Sequence, residues 1–245
     1  MTTLIIGGSR GIGLEIARAF AHDGHVFINY LRDDEQAARA SELIHVEGGR
    51  CTLIKGDVGT PEGCDLVASA VKAHTSHLNQ VVHSAVMTHV GSAFETDVEL
   101  FTQAVAVNGM SLLYITQAVK DLLHRGSSIF YLSSRGGRAV IKNYAAIGVG
   151  KALAESLVRY LAVDLASQGI RINAIAPGIV ETDALRTVFG EKTAELVAEQ
   201  NMSNPSGRGI RSEDYTQLIR FLASPAAEYI TGQTLFVNGG ANLHA

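Results

Sequence analysis

The sequence predicts an α/β fold: a doubly wound parallel sheet of seven strands with helices on both faces. Three observations predict it. Short apolar runs alternate with helical patterns from end to end, the order that a parallel sheet with crossover helices produces. Several runs are continuously apolar rather than alternating, as strands covered on both faces require. A glycine-rich turn joins the first run to the first helical pattern. The 245 residues are 47% apolar and 18% charged, enough for one substantial core and too apolar for a disordered chain. With no repeat or linker in it, the span 1–245 reads as one domain.

Each element then follows in order. Thr3–Ile6 is the first strand; no charged leader precedes it, so it reads as a buried strand rather than a signal peptide. Helix Gly11–His22, strand Val26–Tyr30, helix Asp34–Glu47 and strand Cys51–Lys55 complete the first half of the alternation. Helix Pro61–His74, strand Gln80–His83, a long helix Val98–His124 and strand Ser127–Leu132 continue it. Helix Tyr144–Ser167, strand Arg171–Ala176, helix Ser212–Ala223 and strand Thr234–Val237 close the chain. The rhythm breaks only between Glu181 and Arg211. A stretch that long without a strand is read as a substrate lid over about 183–210.

The chemistry begins at the first turn. Gly7, Gly11 and Gly13 let the backbone turn tightly and approach a pyrophosphate, and the following helix start offers free amides and a positive partial charge. The second strand ends Ile28-Asn29-Tyr30, with no carboxylate for adenosine ribose hydroxyls. Arg10 in the turn and Arg32 beyond the strand suit a dianionic 2′-phosphate instead, which selects NADPH over NADH. At the other end, Tyr144 and Lys151 are seven residues apart at the start of a helical pattern. Seven residues is about two turns, so both side chains emerge on one face, separated by roughly 10 Å of rise. A phenol and an ammonium so placed suit proton delivery, because the cation favours the ionised phenol.

These residues, read in order, carry a family resemblance: Gly7-Gly8-Ser9-Arg10-Gly11-Ile12-Gly13, Asp57-Val58, Asn108, Ser133-Ser134, Tyr144, Lys151, Pro177-Gly178 and Thr182. The chain resembles the short-chain dehydrogenase/reductases, with a Rossmann-like sheet, over nearly its whole length. Most members place the tyrosine four residues before the lysine; here that position is Ile147. The six-residue gap between Tyr144 and Lys151 instead looks like the enoyl-acyl-carrier-protein reductase branch, and most like its divergent NADPH-dependent bacterial members.

The resemblance implies roles. The turn from Gly7 to Gly13, including Ser9 and Ile12, would cradle the cofactor phosphates. Asp57 and Val58 would meet the adenine, and Ser84 and Ala85 would run beside the cofactor. Pro177, Gly178, Ile179 and Thr182 would face the nicotinamide. Lys151 would grip the nicotinamide ribose and lower the tyrosine pKa. Tyr144 would serve the substrate oxygen, and Asn108 would hold the middle of the fourth helix and, through water, the lysine. Ser134 keeps the family serine's spacing from the lysine; Ser133 is the adjacent alternative. Where the family reads Asn-Asn-Ala-Gly, this chain reads His83-Ser84-Ala85-Val86, and His83 is expected to be structural.

The implied activity is NADPH-dependent reduction of an enoyl thioester, on acyl carrier protein as partner. A 3-oxoacyl or other carbonyl reductase is the nearest alternative, and a nucleotide-sensing non-enzyme a more distant one. Leu185, Val188, Phe189 and Met202 could line an acyl pocket or be ordinary helix core.

Composition narrows the rest. A net charge of −4 without a basic cluster argues against nucleic acid. No apolar run is expected to span a membrane. Cys51 and Cys64 give neither a disulfide framework nor a zinc spacing, which suits a reducing cytoplasm. His74 and His77 lack the further ligands that a metal needs, so no metal is expected. Apolar residues on more than one face of the fourth and fifth helices, including Leu153, Leu157, Tyr160 and Leu161, predict a homotetramer. The last strand and its short tail resemble the family's second two-fold contact.

Overall fold

A computed structural model describes residues 1–241 and Leu243. Positions 242, 244 and 245, the end of the tail expected in a two-fold contact, lie outside the described residues. Seven parallel strands form one sheet: β1 Thr2–Ile6, β2 His25–Tyr30, β3 Arg50–Lys55, β4 Leu78–His83, β5 Leu123–Leu132, β6 Arg171–Pro177 and β7 Thr234–Val237. Their order is β3-β2-β1-β4-β5-β6-β7. The winding reverses between β1 and β4, and ligands in open α/β sheets bind beyond the strand ends at such a crevice.

The helices are α1 Gly11–Ala21, α2 Asp34–Val46, α3 Pro61–Lys72, α4 Val98–Val105, α5 Ser111–Ala118, α6 Ala145–Ala166, α7 Asp183–Phe189, α8 Thr193–Met202 and α9 Ser212–Ala223. The sheet separates two apolar cores. Phe20 of α1, Ile44 of α2 and Ile219 of α9 pack with Ile28 and Phe130 on one face. Val67 of α3, Leu112 of α5 and Val158 of α6 pack with Leu4, Val81 and Tyr131 on the other. Helix starts are set locally. The Asp33 carboxylate accepts from Gln36 N at 2.9 Å, the Thr60 hydroxyl from Gly63 N at 3.1 Å, and Asp97 from Leu100 N at 3.0 Å.

The helix expected over Val98–His124 is corrected in three ways. A π-helical segment, Ala106–Met110, interrupts it between α4 and α5. It ends at Ala118, and a short turn, Lys120–Leu122, leads into β5 at Leu123. His124 is therefore in a strand. Leu78 pairs with Leu123 and Gln80 with Ser128, so a bulge lengthens the strand backward into the expected helix. The composite helix Val98–Ala118 also corrects the membrane expectation: it has 21 residues, with a mean hydropathy of 1.3 over an 18-residue window, long and apolar enough by length and composition alone to cross a bilayer. Here Leu112 and Ile115 bury into the sheet core instead.

The segment expected as a lid is helical, with α7 and α8 joined by the turn Gly190–Lys192. Leu185, Val188 and Phe189 are partly buried, whereas Met202 is 82% exposed. His74 packs on Phe27 at 5.8 Å between ring centroids, and His77 on His124 at 5.7 Å. The two histidines thus face different partners.

Candidate active site

At the crevice, β1 delivers the chain into the glycine turn. Gly7 has φ 74° and Gly11 φ 55°, conformations that side chains resist. A Cβ at Gly7 would stand 2.6 Å from Ala85 Cα, and one at Gly13 would stand 2.3 Å from the Gly7 carbonyl. Helix α1 begins with Arg10 as its cap, which makes no side-chain capping bond, and no acid lies in the first turn. Its leading amides are therefore available to an anion, and the chain fits a dinucleotide pyrophosphate. Ser9 is buried, and its carbonyl accepts from Gln36 Nε2 at 3.2 Å. Ile12, in the first turn of α1, packs against the core. Across the crevice, Ser84 N donates to the Ile6 carbonyl at 2.8 Å, which ties the loop carrying Ala85 to the turn.

Arg10 and Arg32 are both exposed. The acids that follow Arg32 are engaged: Asp33 accepts from Gln36 N at 2.9 Å, Asp34 pairs with Lys55 at 2.8 Å and Glu35 with Arg39 at 2.6 Å. The Asn29 amide turns inward and donates to the Ile54 and Gly56 carbonyls at 3.3 and 3.1 Å. Val58 is buried, and Asp57 Oδ1 accepts from Gly59 N at 2.9 Å. After β6, Gly178 N donates to the Val237 carbonyl at 2.8 Å, holding Pro177 to Ile179 at the sheet end. Thr182 caps α7 by accepting from Leu185 N at 3.2 Å. Its methyl carbon comes within 3.3 Å of where a Gly11 Cβ would stand, so the start of α7 lies against the glycine turn.

The reactive side chains gather at β5 and the start of α6. Tyr144 is the cap residue just before α6 rather than its first helical residue. Asn143 before it has φ 61°, and its carbonyl accepts from Gly91 N at 3.0 Å. Asparagine tolerates that left-handed geometry better than most residues, so the tyrosine leaves a fixed turn. The Tyr144 hydroxyl lies 3.5 Å from Ser134 Oγ, which also accepts from Gly136 N at 3.2 Å. Ser133 turns away and donates to Glu155 Oε1 at 2.6 Å. Of the two serines, Ser134 is the one beside the tyrosine. Ile147, at the family's usual tyrosine position, is fully buried.

Lys151 is buried, and its ammonium donates to the Leu132 carbonyl at 2.6 Å, 4.7 Å from the Tyr131 ring centroid. Burial pulls its pKa down to about 7, with Glu155 opposing. Tyr144 does not show the expected depression. Burial pushes its pKa up, and the Ser134 hydrogen bond opposes that only in part. The reason is placement, since the ammonium is engaged at the sheet by Leu132 and Tyr131.

Asn108 sits inside the π segment. Its amide clamps the backbone of Met87, accepting from Met87 N and donating to Met87 O, each at 2.9 Å. Its carbonyl accepts the Tyr131 hydroxyl. His83 is buried, with Nε2 2.6 Å from Ser111 Oγ, and burial with the nearby lysine holds its pKa near about 3. Gly148 and Gly150 serve close approach. A Cβ on the first would meet the Gly136 carbonyl at 2.7 Å, and on the second the Asn108 Cβ at 2.5 Å.

Sequence reasoning missed Tyr131, Glu155 and Arg138. Glu155 is a buried carboxylate that accepts from Ser133 and from Arg138 Nε at 2.8 Å, so it anchors the loop that carries Ser134. One signal was available, since Glu155 follows Lys151 by one helical turn. Tyr131 lies within an apolar strand and gives no such signal.

The chain is similar to known proteins in sequence and in fold. The family model described as enoyl-(acyl carrier protein) reductase matches residues 7–242. A 1-cyclohexenylcarbonyl-CoA reductase of Streptomyces collinus is 32% identical over 99% of this chain and 87% of its own. Among solved structures, a dehydrogenase/reductase from Sinorhizobium meliloti superposes with a TM-score of 0.88 at 29% identity, covering 99% of this chain and 95% of that one. A short-chain dehydrogenase from Burkholderia cenocepacia in complex with NADP has a TM-score of 0.87 at 26% identity, with 98% and 97% coverage.

Proposed function

The chain belongs to the short-chain dehydrogenase/reductase family, and we propose that within it this enzyme reduces the carbon–carbon double bond of an enoyl thioester with NADPH. The observation that carries this reading is the position of Tyr144. It stands at the cap of α6, seven residues before Lys151, while Ile147 fills the core at the four-residue spacing. A carbonyl takes hydride on the carbon bearing its oxygen. A conjugated thioester takes it two carbons away, and charge collects on the thioester oxygen as an enolate. The stabilising donor must then stand farther from the accepting carbon, and a tyrosine moved back along the helix suits that distance. The Streptomyces relative is, by its name, a reductase of an unsaturated acyl-CoA, the same class of substrate.

When bound, the nicotinamide supplies the hydride. This chain's residues do the rest. The α1 amides and Arg10 would hold phosphate charge, and Arg32 would join Arg10 at the adenosine end, where Asp34 and Glu35 are already paired with Lys55 and Arg39. Lys151 would hold the nicotinamide ribose. Tyr144, with Ser134 beside it, would donate to the thioester oxygen and give it a proton, and the resulting enol becomes the saturated thioester as a proton moves to the α-carbon. Carrier protein as the thioester's carrier, and the cytoplasm as the place of reaction, belong to the same proposal.

A second reading, reduction of a 3-oxoacyl or other carbonyl, is favoured by one contact. Ser134 and Tyr144 converge within 3.5 Å, as two donors to one carbonyl oxygen would. One assay separates the two: NADPH oxidation with crotonyl against acetoacetyl thioesters. Oxidation with crotonyl thioester is the expected result, and oxidation with acetoacetyl thioester alone overturns the first reading. Titration with both cofactors tests the adenosine end. Arg10→Ala with Arg32→Ala should weaken NADPH binding by about 2–4 kcal/mol and leave NADH nearly unchanged.

A further inference from the structure

We propose that Tyr131 is a positioning residue for the reduction: its ring face carries the Lys151 ammonium, and its hydroxyl locks the π segment that holds Asn108. This rests on the reading that Lys151 serves a bound nicotinamide ribose, and it adds a residue that no pattern in the chain announces.

The geometry starts from burial. Tyr131 is the next-to-last residue of β5, at the strand's C-terminal end, and is fully buried. An ammonium in such a place loses its hydration and needs replacements for it. Among the described residues the Lys151 ammonium makes one hydrogen bond, to the Leu132 carbonyl at 2.6 Å. The Tyr131 ring, 4.7 Å away, supplies the negative face that a buried cation otherwise lacks. The remaining N–H groups stay available for ribose hydroxyls.

The other end of the same side chain acts on the neighbouring helix. The Tyr131 hydroxyl donates to the Asn108 carbonyl inside Ala106–Met110, where the helical ladder is irregular. Its strand neighbour works in parallel. His83 pairs with Tyr131 in register, and the two rings lie 5.4 Å apart. The Ser111 hydroxyl donates to the Val107 carbonyl at 2.6 Å, so the neutral His83 must donate its Nε2–H to Ser111. Two adjacent strands thus reach up and pin the π segment, and Asn108 in turn clamps Met87 beside the cofactor crevice. A shift of Tyr131 would move the lysine and the crevice loop together.

The test replaces Tyr131 with phenylalanine and its mono-, di- and trifluoro derivatives, which keep ring shape and drain the ring face in steps. NADPH affinity is read by fluorescence titration, which needs no acyl substrate, so an error in the enoyl assignment leaves this result untouched. Tyr131→Phe should bind NADPH within about twofold of the parent, and the fluorinated series should weaken binding progressively, by about tenfold in all. In a Lys151→Ala background the series should be flat. A flat series with Lys151 present, or equal slopes in both backgrounds, overturns the ring's role. Amide hydrogen exchange across 106–112 should quicken in Tyr131→Phe; unchanged protection there overturns the hydroxyl's role.

Discussion

At the scale of single residues, Tyr144 is decided by its surroundings more than by its identity. The Asn143 turn aims it, Ser134 lies beside it, and burial keeps it protonated. Tyr144→Phe removes the donor to the thioester oxygen and nothing that touches the phosphates. It should therefore lower turnover at least about a hundredfold while NADPH affinity stays nearly intact. Near-normal turnover in that variant would remove Tyr144 from the mechanism. Lys151 makes a pH prediction. The groups around it are Glu155 and Tyr144 with α6, Tyr131 on β5, and His83 on β4. Its folded pKa, near 7, lies below the unfolded value of 10.5, so the unfolded chain binds the extra proton between the two. Stability contributed by this site should rise as pH climbs from about 7 towards 10.5 and be flat below, whereas NADPH affinity should fall above about 7 as the ammonium is lost. Lys151→Ala should abolish both trends; a free enzyme whose NADPH affinity does not change from pH 6 to 9 would contradict them.

At the scale of elements, the site depends on how closely α6 meets the π segment. Gly150 and Gly109 make that contact, and a Cβ on Gly150 would come within 2.5 Å of Asn108 Cβ and 3.1 Å of its carbonyl carbon. Alanine gains about 1 kcal/mol of helix propensity over glycine, but overpacking against a neighbouring backbone costs about 1–3 kcal/mol. The obstruction is the pinned Asn108, so the cost should win. Gly150→Ala is expected to lower the melting temperature and turnover together. A melting temperature at or above the parent's would show that the π segment yields freely. Gly148 and Gly150 are legible in the sequence, since glycine is costly inside a helix and its use there is close approach. The π segment itself was not legible, because the run from Val98 onward has unbroken helical character and only the bonds from Tyr131 and His83 to its carbonyls and Ser111 reveal the irregular turn.

At the scale of the whole molecule, apolar surface remains on the outer sides of α4 and α6. Val98, Val149, Tyr160 and Val163 are exposed there, and Phe101, Val105, Met110 and Tyr114 line an apolar groove beside Val149. A sheet covers one face of each helix, so the other face suits a second copy packed about a two-fold axis. A homotetramer is the expected species, and Tyr160→Glu with Val163→Glu should split it. Sedimentation at micromolar concentration checks this: a particle near the 26.0 kDa chain mass refutes it, and a stable dimer leaves only the helix contact standing.

What the sequence determined by itself was periodicity and spacing. Apolar runs and the glycine turn specify the strands, their parallel layering and the nucleotide end, because these depend on local geometry and on which faces must be buried. The seven-residue interval from Tyr144 to Lys151 likewise specifies which branch of chemistry to consider. Tertiary structure alone decided which groups share a buried volume. Ser134 rather than Ser133 meets the tyrosine, because Glu155 claims the other hydroxyl. Lys151 rests on Tyr131, and β5 starts at Leu123, because strands and helices far apart in sequence compete there for the same hydrogen bonds and the same space. Such choices depend on distances between elements, which no local pattern in the chain encodes.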